Sequence, residues 1–143
     1  MSLTGSQALI IGGTLSAAAA AAHLACIAIG APAYRWMGAG ERMARAAAAG
    51  KPMPAVVTLA IAAVLGAWAA YAFAGAGLIA PLPFTKAALV AISAIYLGRG
   101  LGFPLLKSAF PDNSRRFWLV SSAICLVIGA LHAYGTLVRW QEL

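Results

Sequence analysis

Few side chains that can do chemistry lie within the long apolar runs of this 143-residue chain. They include two histidines, two cysteines and one arginine: His23, Cys26, Arg99, Cys125 and His132. A polar or ionisable group in an apolar environment must face the interior of a helix bundle or a wet cavity. The imidazoles can carry protons or bind metals, the thiols can bind metals, and the guanidinium can bind anions. These five residues are therefore the first candidates for a functional site.

Arg99 has no acidic partner within its own apolar run. The three acidic residues of the chain all lie outside the apolar runs: Glu41, Asp112 and Glu142. The guanidinium can reach a lipid phosphate at the membrane surface, bond to backbone carbonyls or to Tyr96, pair with Glu41, or hold an anionic ligand. The last alternative, with His23 beside Arg99, is the sharpest functional hypothesis.

A second group of polar residues follows the first apolar run. Tyr34 and Arg35 precede two glycines, Gly38 and Gly40, which permit a tight turn before Glu41. The residues from Glu41 to 49 then fit a short helix along the lipid headgroups. Arg35 and Glu41 can either pair with each other or bind a ligand. The predicted ligand-binding residues come from this loop and from the apolar runs. They are His23, Tyr34, Arg35, Glu41, Tyr96 and Arg99.

The composition identifies the elements that must position these residues. Of all residues, 63% are hydrophobic and 9% are charged, and the mean hydropathy is +0.89. These values exclude an ordinary soluble domain and a disordered chain. Because a membrane-spanning helix needs about 20 apolar residues, we predict an all-α polytopic membrane protein, a single up-down bundle of four transmembrane helices. The predicted spans are about 8–31, 54–80, 85–106 and 117–138.

The third predicted span has an irregular end. It contains Arg99, and the glycines at 98, 100 and 102 together with Pro104 predict a kink or an unwound segment there.

The basic residues orient the predicted spans. Seven of the ten lie in the first and third loops, at Arg35, Arg42, Arg45, Lys51, Lys107, Arg115 and Arg116. The positive-inside rule places these loops in the cytoplasm and both termini on the outer side of the membrane. The formal charge of +7 is explained by this topology, so we expect no nucleic-acid partner. The expected partners are membrane lipids with anionic headgroups.

The depths of the candidates decide between three kinds of site. His23 and Arg99 lie about 22 and 21 Å from the outer ends of their spans, so they can meet in one polar pocket in the cytoplasmic half. His23 and His132 are about 10 to 14 Å apart along the membrane normal, which disfavours a bis-histidine haem. His23, Cys26 and Cys125 supply three metal ligands at most, without a zinc-site spacing. We expect no metal and no cofactor.

The sequence also lacks the usual signatures of catalysis and cation coupling. It has no nucleophile elbow, phosphate loop or HExxH motif, and no carboxylate within a predicted span. We therefore expect a non-enzymatic protein that binds or passes a small anionic or amphipathic ligand through the cytoplasmic-half pocket. The alternatives are an accessory or structural subunit of a larger membrane complex, and a membrane-embedded enzyme or carrier of a metal or haem. A homo-oligomer or a larger complex is the expected assembly.

Several segments give the chain a resemblance to a known group of proteins. They are the run from His23 to Gly30 and three short motifs, Ala33-Tyr34-Arg35, Gly38-x-Gly40-Glu41 and Tyr96-Leu97-x-Arg99-Gly100. In these segments the chain resembles small bacterial inner-membrane proteins of four helices that have no assigned activity. The resemblance covers most of the chain, and it implies only the fold and the location, which is the bacterial inner membrane. With the orientation predicted above, both termini then lie in the periplasm.

Overall fold

The computed structural model describes residues 3–143. These residues form seven helices: α1 (Gly5–Ile29), α2 (Ala31–Trp36), α3 (Glu41–Ala48), α4 (Met53–Gly75), α5 (Thr85–Leu101), α6 (Phe103–Leu106) and α7 (Arg115–Val138). No strand occurs within 3–143, so the all-α prediction is confirmed. Helices α1, α4 and α7 are each long and apolar enough to cross a membrane. Helix α5 has 17 residues.

Side chains cap the starts of α1 and α7. The hydroxyl of Thr4 accepts a hydrogen bond from the Gln7 N–H, and the Gln7 side chain accepts one from the Thr4 N–H. This capping box satisfies two of the free N–H groups at the start of α1. Ser114 caps α7 by accepting from the N–H of Phe117.

The long helices pack through small residues. Helix α1 contacts α4 and α7, and α5 contacts α7 and α4. A Cβ on Gly13 of α1 would lie 3.0 Å from the Ala72 Cβ of α4. A Cβ on Gly129 of α7 would lie 2.9 Å from Leu97 of α5. Glycine therefore lets the helix backbones approach closely, which supplies the van der Waals contact that holds apolar helices together in lipid.

The two ends of the described chain lie close together, near the C-terminal end of α7. The hydroxyl of Tyr134 donates to the carbonyl of Leu3 at 2.8 Å, and Arg139 bonds to Ser6. The connection between α4 and α5 lies there too, because the Lys86 Nζ is 4.7 Å from the centroid of the Trp140 ring.

The first and third loops meet near the N-terminal end of α7. The Asn113 side chain donates to the Gly38 carbonyl at 2.9 Å, and the phenyl ring of Phe117 covers Gly38. The N–H of Glu41 lies 3.5 Å from a carboxylate oxygen of Asp112. The two loops that carry seven of the ten basic residues therefore contact each other.

Two helices end earlier than the corresponding predicted spans. Helix α4 ends at Gly75 instead of near residue 80, because Gly77 takes a φ of +77° and two prolines follow at 81 and 83. Helix α5 ends at Leu101 and α6 starts at Phe103, so the break falls within the glycine series. The short helix predicted after Gly40 is α3.

Candidate functional site

Arg99 lies in the last turn of α5 and turns its side chain toward α7. Its Nη2 atom donates a hydrogen bond to the Ser121 hydroxyl at 3.0 Å. Its Cζ atom lies 5.0 Å from the centroid of the Trp118 ring, within the range of a cation–π contact. Its Nη1 atom is buried and has no hydrogen-bond partner among residues 3–143. The positive charge is thus held between two helices with part of its donor capacity unused.

Two further unpaired groups lie on the same turns of α7. Trp118 is 2% exposed and Ser122 is 5% exposed. Neither the indole N–H nor the Ser122 hydroxyl has a partner in the described part of the chain. Residues three and four apart share a helix face, so Trp118, Ser121 and Ser122 are neighbours. We call these three residues and Arg99 the Arg99 cluster.

Gly100 allows α5 to approach this part of α7. A Cβ at Gly100 would lie 2.6 Å from the Leu126 side chain and 3.1 Å from the Ser122 carbonyl oxygen. Trp118 is held in turn by the ring of Phe117, whose centroid is 5.8 Å away. The cluster is therefore fixed by packing on both helices.

No carboxylate neutralises the Arg99 cluster. Within residues 3–143 the ion pairs are Arg35 with Glu41 and Arg139 with Glu142. The third acid, Asp112, faces the backbone of Glu41. Guanidinium and indole N–H groups only donate, and a hydroxyl can donate as well. The cluster therefore offers a positive charge and several donors, which is the chemistry that binds an anionic oxygen.

Tyr96 belongs to a different polar group, deeper in the bundle. Its hydroxyl lies 2.9 Å from the Ser16 hydroxyl of α1, and its ring centroid is 5.6 Å from that of His132. His132 is fully buried, with Nδ1 2.9 Å from the Ile128 carbonyl and with Nε2 unpaired. Sequence reasoning did not place Ser16 or His132 beside Tyr96. The Gly12 and Gly13 pair on α1 was the available signal, because small residues leave room for a large neighbour.

His23 and Arg99 make their polar contacts separately. The Nδ1 atom of His23 donates to the Ala19 carbonyl of its own helix at 2.8 Å, whereas Arg99 contacts α7. From the Ser16–Tyr96 contact, His23 lies about 10 Å further along α1 and Arg99 about 4 Å further along α5. A pocket shared by His23 and Arg99 stays a prediction.

The first-loop candidates are organised as an ion pair. Arg35 donates from Nε and Nη2 to the two carboxylate oxygens of Glu41, at 2.9 and 3.0 Å. These hydrogen bonds, and then the opposite charge, raise the pKa of Arg35. The hydrogen bond from Arg35 is also the main cause that lowers the pKa of Glu41. Tyr34 is buried among Cys26, Ala33 and Ala44, and its hydroxyl has no partner. Arg35 and Glu41 were predicted either to pair with each other or to bind a ligand, and in the structure they pair with each other.

The two histidines lie apart from each other. His132 packs against Gly12, which is about 16 Å from His23 along α1. Residues 3–143 contain no group of three His, Cys, Asp or Glu side chains that could hold a metal ion, and both cysteines are free.

Comparisons with protein-family models, curated proteins and solved structures find no match to this chain. Its function is therefore inferred from the geometry of the sites.

Proposed function

We propose that the chain crosses the bacterial inner membrane four times as an up-down bundle, with α5 as the fourth spanning helix. Its 17 residues extend about 26 Å, close to the roughly 30 Å of a hydrocarbon core. Two pairs of contacts support antiparallel packing of neighbouring helices. Between α1 and α4, Gly13 lies beside Ala72 and Leu9 lies beside Gly75. Between α4 and α5, Trp68 lies beside Tyr96 and Leu89 lies beside Gly75. The basic end faces the cytoplasm and the termini face the periplasm.

In this membrane the protein binds or passes a small anionic or amphipathic ligand, without catalysis, at the Arg99 cluster. The observation that carries the proposal is the buried Nη1 atom of Arg99, without an acceptor, beside the unpaired donors of Trp118 and Ser122. Leaving such donors unsatisfied costs about 1 to 3 kcal/mol each, and more for a charged group. An anionic oxygen would supply acceptors and would neutralise the guanidinium in one step.

The surroundings of the cluster favour an amphipathic ligand over a simple ion. Leu101 and Leu105 follow Arg99 closely in the chain and are 70% and 81% exposed. In the proposed topology they lie near the cytoplasmic interface, where an acyl chain would cover them. The ligand then places its anionic group against the donors and its tail along α5 and α6.

Binding of a short anionic amphiphile to the purified protein tests the proposal. Dodecyl phosphate and the zwitterionic dodecylphosphocholine are titrated into the protein in a non-ionic detergent, and heats are measured by calorimetry. We expect dodecyl phosphate to bind and R99Q to weaken it at least tenfold, because a hydrogen bond to a charged group contributes about 1.5 to 3 kcal/mol. R99K keeps the charge but loses the fork of donors, so its affinity falls between the two.

K86Q provides the matched control. Lys86 also lies over a tryptophan, Trp140, but at the opposite end of the bundle. Equal losses of affinity in R99Q and K86Q would reduce the effect to net charge and would overturn the proposal. Isolation from native membranes tests the alternatives: stable co-purification with large partners would favour an accessory subunit, and a visible absorption spectrum would favour a cofactor carrier.

A further inference from the structure

A groove lined by basic side chains lies on the surface, at the same end of the bundle as the Arg99 cluster. The turn from α3 into α4 forms an open groove of about 380 Å³. It is lined by three basic side chains, Arg42, Arg45 and Lys51, and by Ala46, Ala49 and Met53. We call it the basic groove.

The charges of the basic groove are not neutralised within the structure. Glu41 is the nearest acid in the sequence, and Arg35 occupies both of its oxygens. Arg45 is close enough to contribute to the lowered pKa of Glu41, but it forms no ion pair with it. Glu142 pairs with Arg139 at the other end. Three cations therefore share one groove without an acidic partner from residues 3–143.

An apolar surface continues directly from the basic groove. Met53 lines the groove and is 41% exposed, and the next turn of α4 exposes Val56 and Val57 at 64% and 41%. A soluble phosphate would make no use of this face. A phospholipid would use both parts, with its headgroup against the cations and its acyl chains along α4.

We propose that the basic groove binds the headgroup of an anionic phospholipid that carries about two negative charges, as a phosphate monoester does. Arg42 and Arg45 donate to the phosphate oxygens through their planar forks, and Lys51 adds a compact third charge. The acyl chains lie on Met53, Val56 and Val57. This site is independent of the Arg99 cluster, because the two share no residue.

Lipid binding by native mass spectrometry tests the site. The purified protein in detergent is titrated with phosphatidic acid, phosphatidylglycerol and phosphatidylcholine, and the bound fraction is measured for each. The test variant is R42Q/R45Q/K51Q. The matched control is K107Q/R115Q/R116Q, which removes the same charge from the third loop at the same end. All six side chains are exposed, so the substitutions leave the packing of the long helices intact.

For the wild type we expect binding in the order phosphatidic acid, phosphatidylglycerol, phosphatidylcholine. A cation near an anionic surface contributes about fivefold to binding, so the test variant loses affinity for phosphatidic acid by up to about a hundredfold. The control loses much less, and R99Q retains binding at the groove even if the Arg99 proposal fails. Equal losses in the two triple variants would overturn the proposal. So would displacement of phosphatidic acid by an equal concentration of inorganic phosphate, because the groove would then be a site for a soluble anion.

Discussion

The guanidinium of Arg99 lies over the indole ring of Trp118, with its Cζ atom 5.0 Å from the ring centroid. Trp118 thereby holds the cation through its face while its own N–H, at the ring edge, remains unpaired and buried. One side chain thus positions the charge and offers a donor for an anion. The two roles can be separated experimentally, because phenylalanine retains an aromatic face but has no N–H.

Trp118→Phe is expected to weaken binding of dodecyl phosphate about tenfold, since a hydrogen bond to a charged group contributes about 1.5 kcal/mol or more. Calorimetric titration in detergent measures the loss. The matched control is Trp140→Phe at the opposite end, which we expect to leave binding unchanged. If W118F binds as tightly as the wild type, the indole N–H takes no part in the site.

Gly12→Ala is expected to destabilise the protein. The new Cβ would lie 2.8 Å from the Nδ1 atom of His132, which is fully buried, so the imidazole has little room to move. Overpacking of this kind costs about 1 to 3 kcal/mol, and thermal unfolding in detergent measures it. Gly66→Ala is the control, because nothing lies within 4 Å of that position; we expect no loss there. In G12A/H132A the two effects should be less than additive. A G12A protein as stable as G66A would contradict the close contact.

These two cases show what the sequence could and could not supply. The apolar runs and prolines predicted the long helices, since chain-local hydrophobicity and missing N–H groups determine them. The lack of an acidic partner for Arg99 could also be predicted, because all three acidic residues lie outside the apolar runs. The partners of Arg99 were not visible, since Trp118, Ser121 and Ser122 reach it only through the packing of α7 on α5. Likewise the sequence predicted only the depth of His132 in the membrane. Its contact with Gly12 could not be predicted, because it depends on the rotation of α7 about its axis.

Ser16 and Tyr96 are expected to be energetically coupled. Their hydroxyls, on α1 and α5, are 2.9 Å apart, and both residues are buried. A double-mutant cycle of S16A and Y96F should give a coupling of about 0.6 kcal/mol, the average for hydrogen bonds between membrane helices. Unfolding in detergent measures each corner of the cycle. Strict additivity would mean that the hydrogen bond contributes nothing to stability.

The four-span topology predicts opposite accessibility at the two ends. In a variant in which Cys26 and Cys125 are replaced by Ala, a single cysteine is introduced at Ser108 in the third loop or at Ala80 between α4 and α5, both of which are exposed. A membrane-impermeant maleimide applied to intact cells should label A80C but not S108C. Disrupted cells should label both. If S108C is labelled in intact cells, the proposed orientation is wrong; if A80C is not labelled, α5 does not begin on the periplasmic side.

The Arg35–Glu41 pair is expected to open in acid and to be insensitive to pH near neutrality. Its hydrogen bonds lower the pKa of Glu41 below the usual value of about 4.3. The folded pKa is therefore lower than the unfolded one, so the pair stabilises the first loop above the usual Glu range and this contribution is lost as pH falls through the lowered pKa. NMR titration of labelled glutamate carboxyl carbons measures the pKa directly, because the chain has two glutamates, Glu41 and Glu142. Arg35→Gln should raise the pKa of Glu41, whereas Arg45→Gln should raise it less, because Arg45 acts only through its charge. Equal shifts in R35Q and R45Q would show that the bidentate contact does not govern this carboxylate.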